Sequence, residues 1–331
     1  MSPSVRNISK QLGLGPAALR YYHQPLARFS RLIAEGGPRE QRRTETGRLE
    51  MIAAARDLSP VVAPDGGPTL EVAFLSGERF WWQTLFCVVS LQAHAPARIA
   101  PTIFDDGAFT EESWTAFARV IPWARLVSSD EIEARLDAHL PADRYPALRG
   151  RRLAYPHLRK LTDVHVGGAG WKVVLDSDML FFRRPEALLG WLAAPDRPCC
   201  LVEAASAYGY SPALMRELAR GEPPAQVNVG ICGLKSDAID WDRMEYCCRE
   251  MLAREGSHYF QEQALTALLL EGQDCLRLGP PDYIVKPRLA EGRRPTAALH
   301  HYVASSKRSY FQQGWRIVLA NSKISDPIGI A

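Results

Sequence analysis

Two carboxylates stand two residues apart at the close of an apolar run, where Val173-Val174-Leu175 leads into Asp176-Ser177-Asp178. On an extended segment residues i and i+2 share a face, so this spacing predicts both carboxylates aimed in one direction. Like charges held that close repel. A hard, oxygen-seeking cation such as Mn²⁺ or Mg²⁺ between the oxygens offsets the repulsion and can hold a further anionic ligand. The competing reading is a solvated strand-end turn with its acids in water, and the apolar flanks favour the metal.

Three further groups lie later in the chain. His300-His301-Tyr302 is followed by Lys307, so that an imidazole at a strand end could ligate a metal while an ammonium reaches a phosphate. Asn228-Val229-Gly230 places a glycine where backbone can approach a ligand closely. Gln261-Glu262-Gln263 opens an apolar helix in which Glu262 is the only acid, either a favourable first-turn charge or a group at a reacting centre.

Such residues need a scaffold. The chain has 331 residues, 47% hydrophobic and 23% charged, with no biased tract, which excludes wholesale disorder, collagen-like repeats and coiled coil. A net charge of +3 is too small to argue for a duplex nucleic-acid partner held by phosphate neutralisation. The seven cysteines form no ladder suited to zinc and read as reduced core thiols. With no signal-like apolar segment and no run near the roughly 20 residues that span a bilayer, a cytoplasmic location is expected.

The first 60 residues set nine arginines and Lys10 against Glu35, Glu40, Glu45, Glu50 and Asp57. Leu19, Tyr22, Leu26, Phe29, Leu32 and Ile33 recur there at roughly helical spacing, predicting a basic helical arm over residues 1–68, packed on the main domain or lying on a membrane surface. From residue 69 strands and helices alternate: strands over 70–76 and 99–104, helices over 80–93 and 111–119, and a helical stretch over 145–166. The run 171–182 then reads as one buried strand. A helix near 185–192, a strand over 227–234, helices over 241–253 and 259–270, and a strand near 297–302 complete a single α/β domain over 69–331, a mixed, mostly parallel sheet flanked by helices.

At these residues the sequence resembles the metal-dependent nucleotide-diphospho-sugar glycosyltransferases of GT-A fold, most closely the family 8 type. Asp176-Ser177-Asp178 looks like the fold's DxD motif, Asn228-Val229-Gly230 its asparagine-small-glycine segment, Glu262-Gln263 its acid-glutamine pair, and His301-Tyr302 with Lys307 its late HYxxxxK element. The likeness spans roughly residues 70–315. It implies that Asp178 and His301 ligate Mn²⁺ or Mg²⁺ on the donor diphosphate, with Asp176 on metal or ribose and Lys307 on a phosphate. It also implies that Asn228 and Gly230 line the substrate pocket, that Glu262 and Gln263 sit by the transferred sugar, and that Lys160 helps bind the donor. Ser76 and Asp105 or Asp106 occupy places where such proteins contact the nucleoside, UDP being the expected carrier. The implied acceptor is a saccharide, lipid-linked or other.

The family's usual glycine three residues after the late histidine is Ala304 here, and Lys307 is followed by Arg308-Ser309 rather than proline-tryptophan. Retention and inversion stay open, as does the choice of His300 or His301 as ligand. Two other readings compete: a haloacid-dehalogenase-like phosphatase with Asp176 as nucleophile, disfavoured by Leu180 where Thr or Val is wanted, and a non-catalytic sugar-nucleotide-binding relative. A nucleotidyltransferase would need a glycine-rich loop where Ser76-Gly77-Glu78-Arg79-Phe80 stands.

Overall fold

Alternation along the first strand already divides the molecule into layers. In β1 (Thr69–Ser76) Val72 and Phe74 join one buried apolar cluster and Ala73 the other, because successive side chains leave opposite faces of the sheet. This is seen in a computed structural model that describes residues 36–64, 68–203, 205 and 208–324. The expected apolar helix over 19–33 lies outside the described residues.

Parallel to β1 run β2 (Arg98–Asp105) and β4 (Trp171–Leu175), with β3 (Arg125–Val127) beyond β2. The sheet turns mixed past β4. There β7 (Val227–Lys235) pairs antiparallel with both β4 and β6 (Cys199–Val202), and β8 (Leu276–Leu278) lies parallel to β6, giving the order β3-β2-β1-β4-β7-β6-β8. A second sheet, β5-β10-β9, joins β5 (Met179–Phe181), β10 (Leu299–His301) and β9 (Tyr283–Val285).

The covering helices are α1 (Pro38–Asp57), α2 (Trp81–Gln92), α3 (Glu111–Val120), α4 (Ser129–His139), α5 (Pro146–Ala154), α6 (Arg159–His165), α7 (Glu186–Ala193), α8 (Pro212–Leu218), α9 (Trp241–Arg254), α10 (Gln261–Leu269), α11 (Leu289–Arg293), α12 (Lys307–Ser309) and α13 (Trp315–Ile324). Among the described residues no helix is long and apolar enough to cross a membrane. All seven cysteines are free thiols, six of them buried.

The strand expected over 171–182 is two strands in two sheets, and the Asp176–Asp178 segment is the turn between them. The carboxylates therefore converge through a bend rather than through the alternation of an extended strand. The helical stretch expected over 145–166 is likewise broken, because Pro156 disfavours a helical Tyr155 and interrupts the hydrogen-bond ladder between α5 and α6. Across that break Arg152 on α5 grips Asp163 on α6 with two N–H groups, Nη2 lying 2.9 Å from Oδ2, and its Nη1 donates to Glu133 at 2.6 Å. Both Arg152 and Asp163 are buried, so the pair ties α5 to α6 across the break.

Before β1, α1 packs on the π-helical turn Tyr310–Gly314, with Met51 and Ala55 in the apolar core. Gly47 permits this contact: a Cβ there would lie 2.1 Å from the carbonyl oxygen of Phe311. A mid-helix glycine costs roughly 0.5–1 kcal/mol against alanine, a loss offset here by the close approach of the two backbones.

Candidate active site

The two sheets meet at the turn that carries the two acids. Asp176 N–H donates to the Gly230 carbonyl on β7 at 2.7 Å, and the Asp178 carbonyl accepts from Tyr302 N–H just past β10 at 2.9 Å. The register of β10 against β5 sets His301 opposite Met179, so the imidazole reaches back over the turn. Ser177 is held from the third side through its hydroxyl, 2.7 Å from that of Thr84, which in turn lies 2.8 Å from Ser76 Oγ.

His301 Nε2 lies 3.1 Å from an Asp178 oxygen and 3.4 Å from an Asp176 oxygen. These are contacts of opposite charge out of line for hydrogen bonding, so both ring nitrogens are buried without a hydrogen-bond partner. His300 faces away, its Nε2 at 3.0 Å from Glu291 and its Nδ1 at 3.1 Å from the Tyr302 hydroxyl. The geometry therefore selects His301. Gly230 makes room for it, since a Cβ at that position would lie 2.4 Å from His301 Cε1 and 2.7 Å from Met179 Cε.

Two lysines complete the cluster. Lys160, buried on α6, places Nζ 2.8 Å from Asp176 and 3.4 Å from Glu262, and Lys307 places Nζ 2.6 Å from Asp178. Burial opposes charge on both aspartates, but the Lys160 ammonium beside Asp176 and the Lys307 ammonium beside Asp178 hold them below the usual carboxylate range. Burial likewise opposes the imidazolium of His301, yet the Asp178 and Asp176 charges hold it up to about 9. Glu262 is the exception. Burial raises it to about 8 against the pull of Lys160, with the Asp176 charge adding to the rise, so this carboxyl exchanges its proton near neutral pH.

The donor set fits a divalent cation. Asp176, Asp178 and His301 each offer one ligand atom within 4.8 Å of the others, and neither buried ring nitrogen of His301 makes a hydrogen bond within the protein. Two carboxylate oxygens and one imidazole suit Mg²⁺ or Mn²⁺ better than a thiophilic metal.

The remaining expected residues fall around this cluster with varied engagement. Gln263 is buried beside Glu262. Asn228 uses its amide within the protein, donating to Glu203 at 2.6 Å and accepting from Gly230 N–H at 2.9 Å, which shapes the bend next to His301. Ser76 is buried in the hydroxyl chain described above. Asp105 accepts from the N–H groups of Gly107, Ala108 and Phe109, and Asp106, raised by burial, accepts from Ala108. Both shape the loop after β2.

Several neighbours escaped sequence reasoning. Gln83 lies 3.4 Å from Lys307 Nζ, and Thr84 anchors Ser177. Their signal was a polar pair inside a helix whose residues are all buried. Beyond Glu262, His157 packs between Tyr155 and Tyr259 at ring separations of 5.2 Å, and Tyr259 is mostly exposed. Arg183 and Arg184 pair with Asp282 and Glu186, so their charge is met locally.

Against solved structures the backbone matches an active-site mutant of LgtC with a TM-score of 0.51, covering 77% of this chain and 95% of that one at 14% identity. The chain has the GT-A fold. Looser likenesses are to the galactosyltransferase LgtC in complex with donor and acceptor sugar analogs (TM-score 0.49, 14% identity, 78% of this chain and 97% of that one) and to mouse xyloside xylosyltransferase 1 (TM-score 0.45, 8% identity, 71% and 98%). No family model and no curated protein matches the sequence. Ala304, where the resemblance expects glycine, holds φ 49°, a left-handed conformation that glycine adopts more readily than alanine.

Proposed function

We propose that the protein is a metal-dependent glycosyltransferase that moves a sugar from a nucleotide-diphosphate donor, with UDP as the carrier, to a saccharide, lipid-linked or other acceptor. The observation that carries this reading is the Asp176, Asp178 and His301 donor set, in which the buried His301 has charge contacts but no hydrogen bond, flanked by Lys160 and Lys307 at the junction of the two sheets of a GT-A fold. The backbone likeness to LgtC, a galactosyltransferase, accords with a sugar-transfer reaction.

A bound Mn²⁺ or Mg²⁺ would supply positive charge for the diphosphate that departs as the glycosyl bond breaks. Asp176, Asp178 and His301 would hold it. Lys307 then stands ready to bind a phosphate oxygen, and Lys160 keeps Asp176 ionised while fixing its distance from Glu262. Glu262, with its proton exchangeable near neutral pH, either accepts the proton of an attacking hydroxyl or orients that hydroxyl, with Gln263 beside it. Asp105 and Asp106 would border the nucleoside through the loop they shape and Ser76 through its place at the end of β1, while Asn228 and Gly230 hold the wall against which His301 rests. Residues 1–68 would form a basic arm ahead of the transferase domain over 69–331, with α1 packed on that domain, bringing the enzyme to a membrane surface on the cytoplasmic side.

Isothermal titration with UDP and then GDP, each with and without Mn²⁺, tests this reading without knowledge of sugar or acceptor. Binding that requires metal and favours UDP is expected. Absence of nucleotide binding under every metal condition would overturn it.

A further inference from the structure

Lys307 stands on a helix too short to hold itself. α12 has three residues, set between the 3₁₀ turn Ala304–Ser306 and the π-helical turn Tyr310–Gly314, and helices of that length form only with tertiary support. An ammonium on a four-carbon stem is mobile unless its surroundings are fixed. Lys307 Nζ contacts Asp178 at 2.6 Å and Gln83 at 3.4 Å, and it lies 5.3 Å from the centre of the Tyr310 ring and 6.0 Å from that of Phe311. The place of the π-helical turn therefore sets the place of the ammonium.

The support comes from α1, ahead of the first strand. Glu40, Thr44, Gly47 and Met51 recur along it at helical spacing and so share one face. Glu40 meets Arg308, the neighbour of Lys307, at 2.6 Å, and accepts from the Gln312 amide at 3.1 Å. Thr44 Oγ1 accepts from the same amide at 3.0 Å. Gly47 lies against Phe311, where a Cβ would stand 2.8 Å from the carbonyl carbon, and Met51 is fully buried in the core beyond. Glu50 adds an ion pair to Arg316 at the start of α13. The face of α1 thus grips residues before, within and after the π-helical turn, and the Glu40–Arg308 pair is part-buried, where solvent screens it less than at the open surface.

We propose that α1 positions Lys307 for the donor phosphate, with Glu40 and Gly47 as positioning residues that act through Arg308 and Phe311. Ordering of the segment 307–314 is then completed on folding and is not charged again to binding, which is preorganisation. The inference deepens the proposed function and rests on it for the phosphate, whereas the brace itself is independent of what Lys307 binds.

Amide hydrogen exchange of the full chain tests the brace, and titration of UDP with Mn²⁺ tests its consequence. Glu40→Ala, its fold checked by circular dichroism, should speed exchange over residues 307–314 by about tenfold or more while leaving 261–269 as in wild type. It should weaken UDP binding about fivefold, with Glu40→Gln, which keeps an acceptor oxygen, falling in between. In a Lys307→Ala background the same Glu40→Ala change should alter UDP affinity by less than about twofold, because the loss runs through the lysine. Gly47→Ala should speed exchange over 307–314 further than Glu40→Ala does. Unchanged exchange over 307–314, unchanged UDP affinity in Glu40→Ala, or a loss that persists in full without Lys307 overturns the proposal. Failure of wild-type protein to bind UDP with Mn²⁺ would instead remove the proposed function, and the exchange result would then decide the brace alone.

Discussion

Two buried ionic clusters lie on either end of the same short helix and differ in one respect. Around Arg152 and Asp163 the guanidinium meets two carboxylates and Asp163 also accepts from the Thr162 hydroxyl at 2.8 Å. Around Asp176 and Asp178 the carboxylates have lysine partners, yet His301 meets the acids only as a charge contact through Nε2, and neither of its buried ring nitrogens makes a hydrogen bond. Burying a polar group without a partner costs on the order of 1–3 kcal/mol. A saturated network holds α5 against α6, while an unsaturated one, supported from both sheets, is built to receive something.

The same chemical change should therefore have opposite consequences in the two clusters. Asp178→Asn is expected to lower metal-dependent nucleotide affinity at least a hundredfold while costing less stability than the same change at Asp163, since Lys307 is part-exposed and stays solvated and His301 keeps Asp176. Asp163→Asn should do the reverse, costing about 3–5 kcal/mol because it leaves the buried Arg152 with only the half-exposed Glu133 as a charge partner. Equal destabilisation by both would erase the distinction between them.

Gly230→Ala sharpens the comparison at the site itself. The new Cβ would press on His301 and Met179, so a tenfold or greater loss of metal-dependent binding is expected, with a stability cost of roughly 1–3 kcal/mol from overpacking. Unchanged binding would mean that His301 need not hold its place.

A smaller effect concerns the far side of His300. Burial opposes the charge of Glu291, but N–H groups of Thr296 and Ala297 and the His300 ring hold its carboxyl down to about 2. Its folded value lies below the ordinary one, so the stability it contributes is present above about pH 4.3 and is lost as pH falls through about 2. Glu291→Gln should flatten that acid limb in thermal melts recorded from pH 6 to pH 2. An unaltered limb would place the acid sensitivity elsewhere.

Much of the frame was legible because β1, β2 and β7 are eight or nine residues long and carry clear apolar patterns. The strands β3, β5, β8 and β9 have three residues each, too few for a period to register. The apolar run 171–182 hid a change of sheet, because buried strands on both sides of a turn look continuous when the turn itself is only Asp176-Ser177-Asp178. The metal-ligand candidates were readable by residue type, but the preference for His301 over His300 depends on the register of β10 against β5. Gly230 reads as a close-approach glycine in sequence, although what approaches is the protein's own imidazole. The Arg152–Asp163 grip was invisible, since a continuous helix over 145–166 would have set those residues eleven positions apart along one axis instead of facing each other across the break at Pro156.

The central claim is that the unsaturated cluster is a cation site. Its most direct test is electron paramagnetic resonance of Mn²⁺ titrated into the protein with UDP present, comparing wild type, His301→Ala and Asp163→Asn under conditions where all three are folded. One tightly held Mn²⁺ per chain is expected in wild type and Asp163→Asn, with affinity falling at least tenfold in His301→Ala. Free Mn²⁺ signal throughout the wild-type titration, or equal retention in His301→Ala, would contradict the account.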